Sequence, residues 1–177
     1  MEPDPQAPRP DNPDTAPVVL PAGRLEGREL FRQAVRDALA SAAAQGWHEI
    51  MLSDASFEDW PLGEQAVVAS LHAWARHGRR MTLLARRYDD IPLRHPRFVQ
   101  WRQTWSHRID CHGCRHADAL EIPSAIWSPG WYLQRLDVEH CTTVCGEDPQ
   151  RRALLRNTLD EWLRRSAPAF PATTLGL

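Results

Sequence analysis

The sequence predicts an α/β fold in which a mainly parallel sheet is flanked by helices and followed by a late antiparallel hairpin. Three observations carry that expectation. Apolar residues recur at helical spacing in four segments, short unbroken apolar runs fall between the first of them, and Ser128-Pro129-Gly130 separates two extended runs near the end. A chain of 177 residues suits one domain with a sizeable core, and 42% apolar with 25% charged residues is ordinary for a globular protein.

Residues 1–22 hold seven prolines and little apolar content, which predicts a disordered tail ahead of a single domain over 23–177. The next stretch places Leu30, Phe31, Ala34, Val35, Ala38, Leu39 and Ala42 on one helical stripe, with Gly46 suited to end the helix in the left-handed conformation. Ile50, Met51 and Leu52 then form a short run that fits a strand buried on both faces. Val67, Leu71 and Trp74 repeat at helical spacing before Gly78, and residues 79–87 read as a second buried strand flanked by arginines. Strand, helix, strand implies a right-handed crossover and a parallel pair.

Pro96 opens a third helix carrying Phe98, Trp101 and Trp105, and Ile109 with Cys111 marks one face of a third strand. Ser128-Pro129-Gly130 is a turn signal for the hairpin. Asp148 as N-cap and Pro149 in the first turn start a last helix with Leu155, Leu159 and Trp162 along one face.

Every basic side chain is arginine, so mechanisms that need a lysine, such as Schiff-base chemistry or a P-loop lysine, are excluded. The charge is uneven. Between Leu71 and His116 ten arginines face three aspartates, a local balance of +7, and the rest of the chain carries −9. Six of the eight histidines share that segment. Such a stretch suits phosphate or nucleic acid, with Arg94, Arg97, Arg102 and Arg108 as the candidate contacts; solvated helix faces and strand ends are the plainer alternative.

The stretches "WPLGEQAVV", "LLARRYDDIPLRHPRFVQWRQTWSH" and "TLGL" resemble an uncharacterised proteobacterial family of phospholipase D-like, non-catalytic domains of unknown function, over residues 24–177. The resemblance implies half of a phospholipase D-like fold and no activity. The His-x-Lys-x4-Asp motif of the catalytic members falls on Glu121, Pro123 and Ser128, none of which serves as nucleophile or phosphate cation. His95 and Arg97 have the first spacing, but Arg102 stands where a carboxylate belongs.

Cys111-x2-Cys114 and Cys141-x3-Cys145 are candidate ligands of a structural zinc, with burial as small apolar side chains the alternative. A redox pair fits poorly, because Cys111 and Cys114 do not open a helix after a first strand. No run of about 18 apolar residues occurs, and "MEPDPQAPRP" lacks the basic and apolar regions of a signal peptide, which predicts a cytoplasmic protein without a membrane partner. The sequence therefore predicts a non-catalytic binding or interaction module with no cofactor beyond a possible zinc. Its expected partner is an unidentified protein or a second copy, with nucleic acid as the alternative. Trp127 and Trp131 on the hairpin are candidates for an exposed apolar patch, and core packing is their other fate.

Overall fold

The computed structural model describes residues 18–78 and 80–172. In chain order these form β1 (Gly23–Leu25), α1 (Arg28–Gln45), β2 (Glu49–Asp54), α2 (Gln65–Ala75), β3 (Arg80–Ala85), α3 (Ile91–Arg94), α4 (Pro96–Thr104), a 3-10 turn (Ser106–Arg108) and β4 (Ile109–Gly113). There follow β5 (Ser124–Trp127), β6 (Tyr132–Asp137), β7 (Thr142–Gly146), α5 (Pro149–Arg164) and β8 (Ala167–Pro168). One eight-stranded sheet takes up every strand in the order β1-β7-β6-β5-β2-β3-β4-β8.

The helix expectations hold at their physical causes. Gly46 sits at φ 65, ψ 48 and its N–H closes α1 on the Ala42 carbonyl, while the Asp148 carboxylate accepts from the Arg151 N–H at 2.9 Å to start α5. Leu30, expected on the buried stripe of α1, is instead exposed, because it lies at the edge of the face that meets the sheet.

The sheet is mixed rather than mainly parallel. Only β2 with β3 and β3 with β4 run parallel; the other five neighbouring pairs are antiparallel. The cause is local connectivity. β5, β6 and β7 follow one another through short turns, which join antiparallel neighbours only, and β5 enters antiparallel against β2. The "CTTVC" stretch, expected to end the hairpin, is its third strand, and the short terminal strands β1 and β8 close the two edges.

Helices α1, α2 and α4 cover one face, where Phe31, Leu39, Leu71, Trp74 and Trp101 pack on Ile50, Leu52, Leu83 and Leu133. The other face is covered by α5, whose Leu155 and Leu159 meet Met51, Leu84, Ala125 and Tyr132. β2 and β3 are buried on both sides, which accounts for their unbroken apolar runs.

The tail assignment shifts at its inner end. Residues 18–22 lie against the domain, with the Val18 carbonyl accepting from Ser41 Oγ at 3.3 Å and the Pro21 carbonyl from Trp131 Nε1 at 3.0 Å. Residues 1–17 and 173–177 lie outside the described residues. Trp131 is buried and Trp127 is half-buried, its Nε1 donating to the Arg152 carbonyl and Arg156 lying over its ring, so neither forms an exposed patch. No helix among the described residues is long and apolar enough to cross a membrane.

Candidate phosphate-binding groove

The four cysteines do not converge. Cys111 and Cys114 belong to β4 and its end, Cys145 to β7 and Cys141 to the turn before it, and four strands separate β4 from β7. At about 4.8 Å per strand that is roughly 24 Å, an order of magnitude beyond a zinc–sulfur bond. The members of each pair are also held apart. Cys111 packs on the α1–α2–α4 side and Cys114 on the α5 side, while Cys141 Sγ donates to Val138 O at 3.5 Å and Cys145 Sγ to Gly23 O at 3.7 Å. Among the described residues no three His, Cys, Asp or Glu side chains cluster in a way that could hold a metal ion. The four-thiolate site expected from the spacing is thus not assembled by this fold.

The four arginines singled out from the basic segment are dispersed. Arg94 is paired with Glu58 at 2.5 Å, and Arg97 donates to the Gly63 carbonyl at 3.2 Å, both beside the loop after β2. Arg108 precedes β4 and donates to the Gly78 carbonyl at the opposite end of the sheet. Arg97 and Arg102 are five residues apart on α4, which turns them about 140° from one another. Arg102 therefore points toward the sheet while Arg97 does not.

Arg102 instead meets three arginines that follow strand ends. Arg86 and Arg87 leave the carboxyl end of β3, with both backbone N–H groups on the Ala55 carbonyl at 3.1 and 3.2 Å, and Arg115 follows the end of β4. Parallel strands β3 and β4 end together, so these side chains gather at the carboxyl edge where open α/β sheets bind ligands. With Tyr88, Val99, Phe170 and their neighbours they line a cavity of about 650 Å³, in which Asp89 is the one carboxylate-bearing residue. None of the four arginines makes an ion pair among the described residues.

Arg102 has the most demanding environment. It is 6% exposed, its Nε donates to Cys111 Sγ at 3.2 Å, its Nη2 lies 3.5 Å from the Phe170 carbonyl, and its Nη1 has no partner among the described residues. Two neighbouring acids do not supply a counter-charge. Burial pushes the Cys111 thiol above its ordinary value although Arg102 pulls the other way, and burial raises the Tyr88 phenol well above its own. Both stay neutral near pH 7. A buried guanidinium without an anion is costly, and this one belongs to the wall of a cavity lined by further cations.

A second cavity, of about 410 Å³, lies where β2 ends and differs in kind. Most of its charged side chains are held in ion pairs. Arg135, a residue that sequence inspection did not single out, donates to Asp54 at 2.9 Å, to Asp59 at 2.6 Å and to Ser124 Oγ at 3.0 Å, with its guanidinium carbon 4.2 Å from the Phe31 ring centre. Asp54 also accepts the N–H of Phe57 at 2.8 Å and of Ser56 at 3.1 Å, which fixes the loop after β2. This network joins β6 to β2, and its two carboxylates more than neutralise the one guanidinium. His95, another candidate, is buried with Nε2 2.8 Å from the Phe57 carbonyl, and burial lowers its pKa, so it is a neutral donor within the fold.

Arg86, Arg87 and Arg115 belong to the basic segment but are not among the four candidate contacts read from the sequence. The signal that finds them is position: each lies within two residues of the carboxyl end of a parallel strand.

No family model matches the chain, and no curated protein matches it in sequence. Among solved structures it is similar to TrmBL2, an archaeal chromatin protein whose structure is described as showing a novel mode of DNA binding. The TM-score is 0.63 at 13% identity, over 89% of this chain and 57% of that one. At such identity the likeness is one of fold, and this chain spans a little over half the length of that protein.

Proposed function

We propose that the protein is a binding module for phosphate-bearing ligands of the nucleic-acid class, and that its site is the arginine groove at the carboxyl edge of β3 and β4. The observation that carries this is one cavity lined by Arg86, Arg87, Arg102 and Arg115, none of them in an ion pair among the described residues, with Arg102 buried and its Nη1 unpartnered. Guanidinium forks match phosphate oxygens in geometry and keep their charge at every physiological pH. The same constancy suits electrostatic recognition of phosphate and not proton transfer. The likeness in fold to an archaeal chromatin protein described for its DNA binding supports the same class of ligand.

The test is binding of labelled DNA as a function of salt, followed by fluorescence anisotropy. If these arginines neutralise up to four phosphates, log K against log salt should fall with a slope of up to about −3 on a single strand. The Arg87→Glu, Arg115→Glu double variant should lose most of the affinity and flatten the slope. Both residues are exposed, so the fold is expected to tolerate the change. Salt-independent binding, or a double variant that binds like the parent, would overturn the proposal.

A further inference from the structure

The arginines form only part of the cavity wall. The same cavity is lined by an aromatic pair, Tyr88 and Phe170, with ring centres 5.0 Å apart and planes within 1° of parallel. Tyr88 is fixed from below, its hydroxyl 2.8 Å from the His112 carbonyl and 3.0 Å from that of Leu83. Phe170 is half-buried and follows β8, where the Ala169 N–H donates to the Cys111 carbonyl at 2.9 Å. Its backbone sits at φ 48, a region that bulky residues rarely enter, and stacking on Tyr88 offsets that strain. Pro92, Val99 and Pro171 continue the apolar side of the same cavity.

An inorganic anion, or the outer edge of a duplex, would engage the guanidinium groups and leave this wall in water. A duplex keeps its bases paired and stacked inside the helix, so it offers the wall nothing. A volume of about 650 Å³ is that of a small-molecule site. The ligand that satisfies both walls has a phosphate and an unpaired flat ring a few ångströms from it.

We infer that the groove takes a nucleoside phosphate whose base is free of a duplex, with the phosphate on Arg102 and its neighbouring arginines and the base against Phe170. That unit can be a free nucleotide or one residue of a single strand. The inference rests on the phosphate-binding function proposed above and adds the base.

The experiment compares a short labelled oligothymidine single strand, an abasic strand of the same length and a duplex of the same length, all on the full chain. The thymidine strand is expected to bind about 5- to 150-fold tighter than the abasic one, the range that stacking of one base supplies. Phe170→Leu, which keeps an apolar side chain in place, should remove most of that preference and leave the salt slope unchanged, and Phe170→Tyr should retain it. Thermal melts of both variants show whether the wall is intact. Competition by thymidine monophosphate would support the inference with a free nucleotide as ligand; binding of the strand without such competition would support it with a single strand. Equal binding of thymidine and abasic strands that still weakens with salt would overturn the base contact and leave the phosphate site standing. Preference for the duplex would likewise overturn it. Absence of any salt-dependent binding would remove both.

Discussion

Replacing Arg102 by methionine should make the protein more stable and less able to bind. Methionine keeps an unbranched apolar stem in the space of the arginine stem and removes the charged head. Two weak contacts are lost, the donation to Cys111 Sγ at 3.2 Å and the 3.5 Å approach to the Phe170 carbonyl, together worth about 1 kcal/mol or less. Against that, a buried cation with no counter-charge disappears, and relief of such desolvation is worth several kcal/mol. The net expectation is a gain of about 1–3 kcal/mol, or roughly 2–12 °C in Tm for a domain of this size. The assay is equilibrium urea unfolding in a buffer free of phosphate and sulfate, repeated with a phosphate-bearing ligand. At a hundredfold excess over Kd the ligand should stabilise the parent by about 2.7 kcal/mol and the variant by much less. A variant less stable than the parent in the ligand-free buffer would refute the account of Arg102 as an uncompensated charge. Full ligand stabilisation in the variant would refute its role in binding.

Three further outcomes are expected elsewhere in the molecule. Arg135→Met should cost about 3–5 kcal/mol in urea unfolding, because Asp54 is left buried without its cation; adding Asp54→Asn should recover part of the loss, and a cost below about 1 kcal/mol would count against the network. Glu64 is held at about 2, below the ordinary 4.5, chiefly by the hydrogen bond from Arg36 and further by Arg32. A carboxyl whose folded pKa is depressed stabilises fully above its unfolded value, and that stability goes as pH falls from about 4.5 toward 2. With each partner about a quarter to a third exposed, the loss should be about 1 kcal/mol, and it should be absent from the Glu64→Gln variant; identical pH profiles would contradict this. All four cysteines are free and buried, and burial lifts Cys145 to about 11 and raises Cys111 and Cys114. A thiol reagent at neutral pH should therefore label none rapidly until denaturant is added, whereas fast labelling of any in the native state would place it at the surface.

Helix formation and local turns were legible in the sequence because their causes lie within a few residues of each other. The stripe from Phe31 to Ala42, the cap at Asp148, the left-handed Gly46 and the Ser128-Pro129-Gly130 turn all act at short range, and each appears where the spacing put it. The strand β7 was harder to see, since Thr142, Thr143 and Val144 carry no strong alternation, and the two- and three-residue strands β8 and β1 exist only because an edge is there to receive them.

The sequence by itself determined the α/β class, the succession of major helices, the absence of lysine chemistry and the concentration of arginine in one segment. Only the tertiary structure decided how the strands are ordered, and the candidate sites depend on that order. Spacing along the chain made two cysteine pairs look like one metal site, yet placing β7 and β4 near opposite edges of the sheet keeps them apart. The same spacing put Arg94, Arg97, Arg102 and Arg108 in one group, whereas the fold turns Arg97 away, neutralises Arg94 with Glu58 and sends Arg108 to the far end of β4. It gathers Arg102 with Arg86, Arg87 and Arg115 instead, because parallel strands β3 and β4 end side by side and Arg102 of α4 lines the same cavity. Periodicity records which face of an element is apolar; which elements share an edge is set by pairing between residues distant in the chain, and no local pattern encodes it.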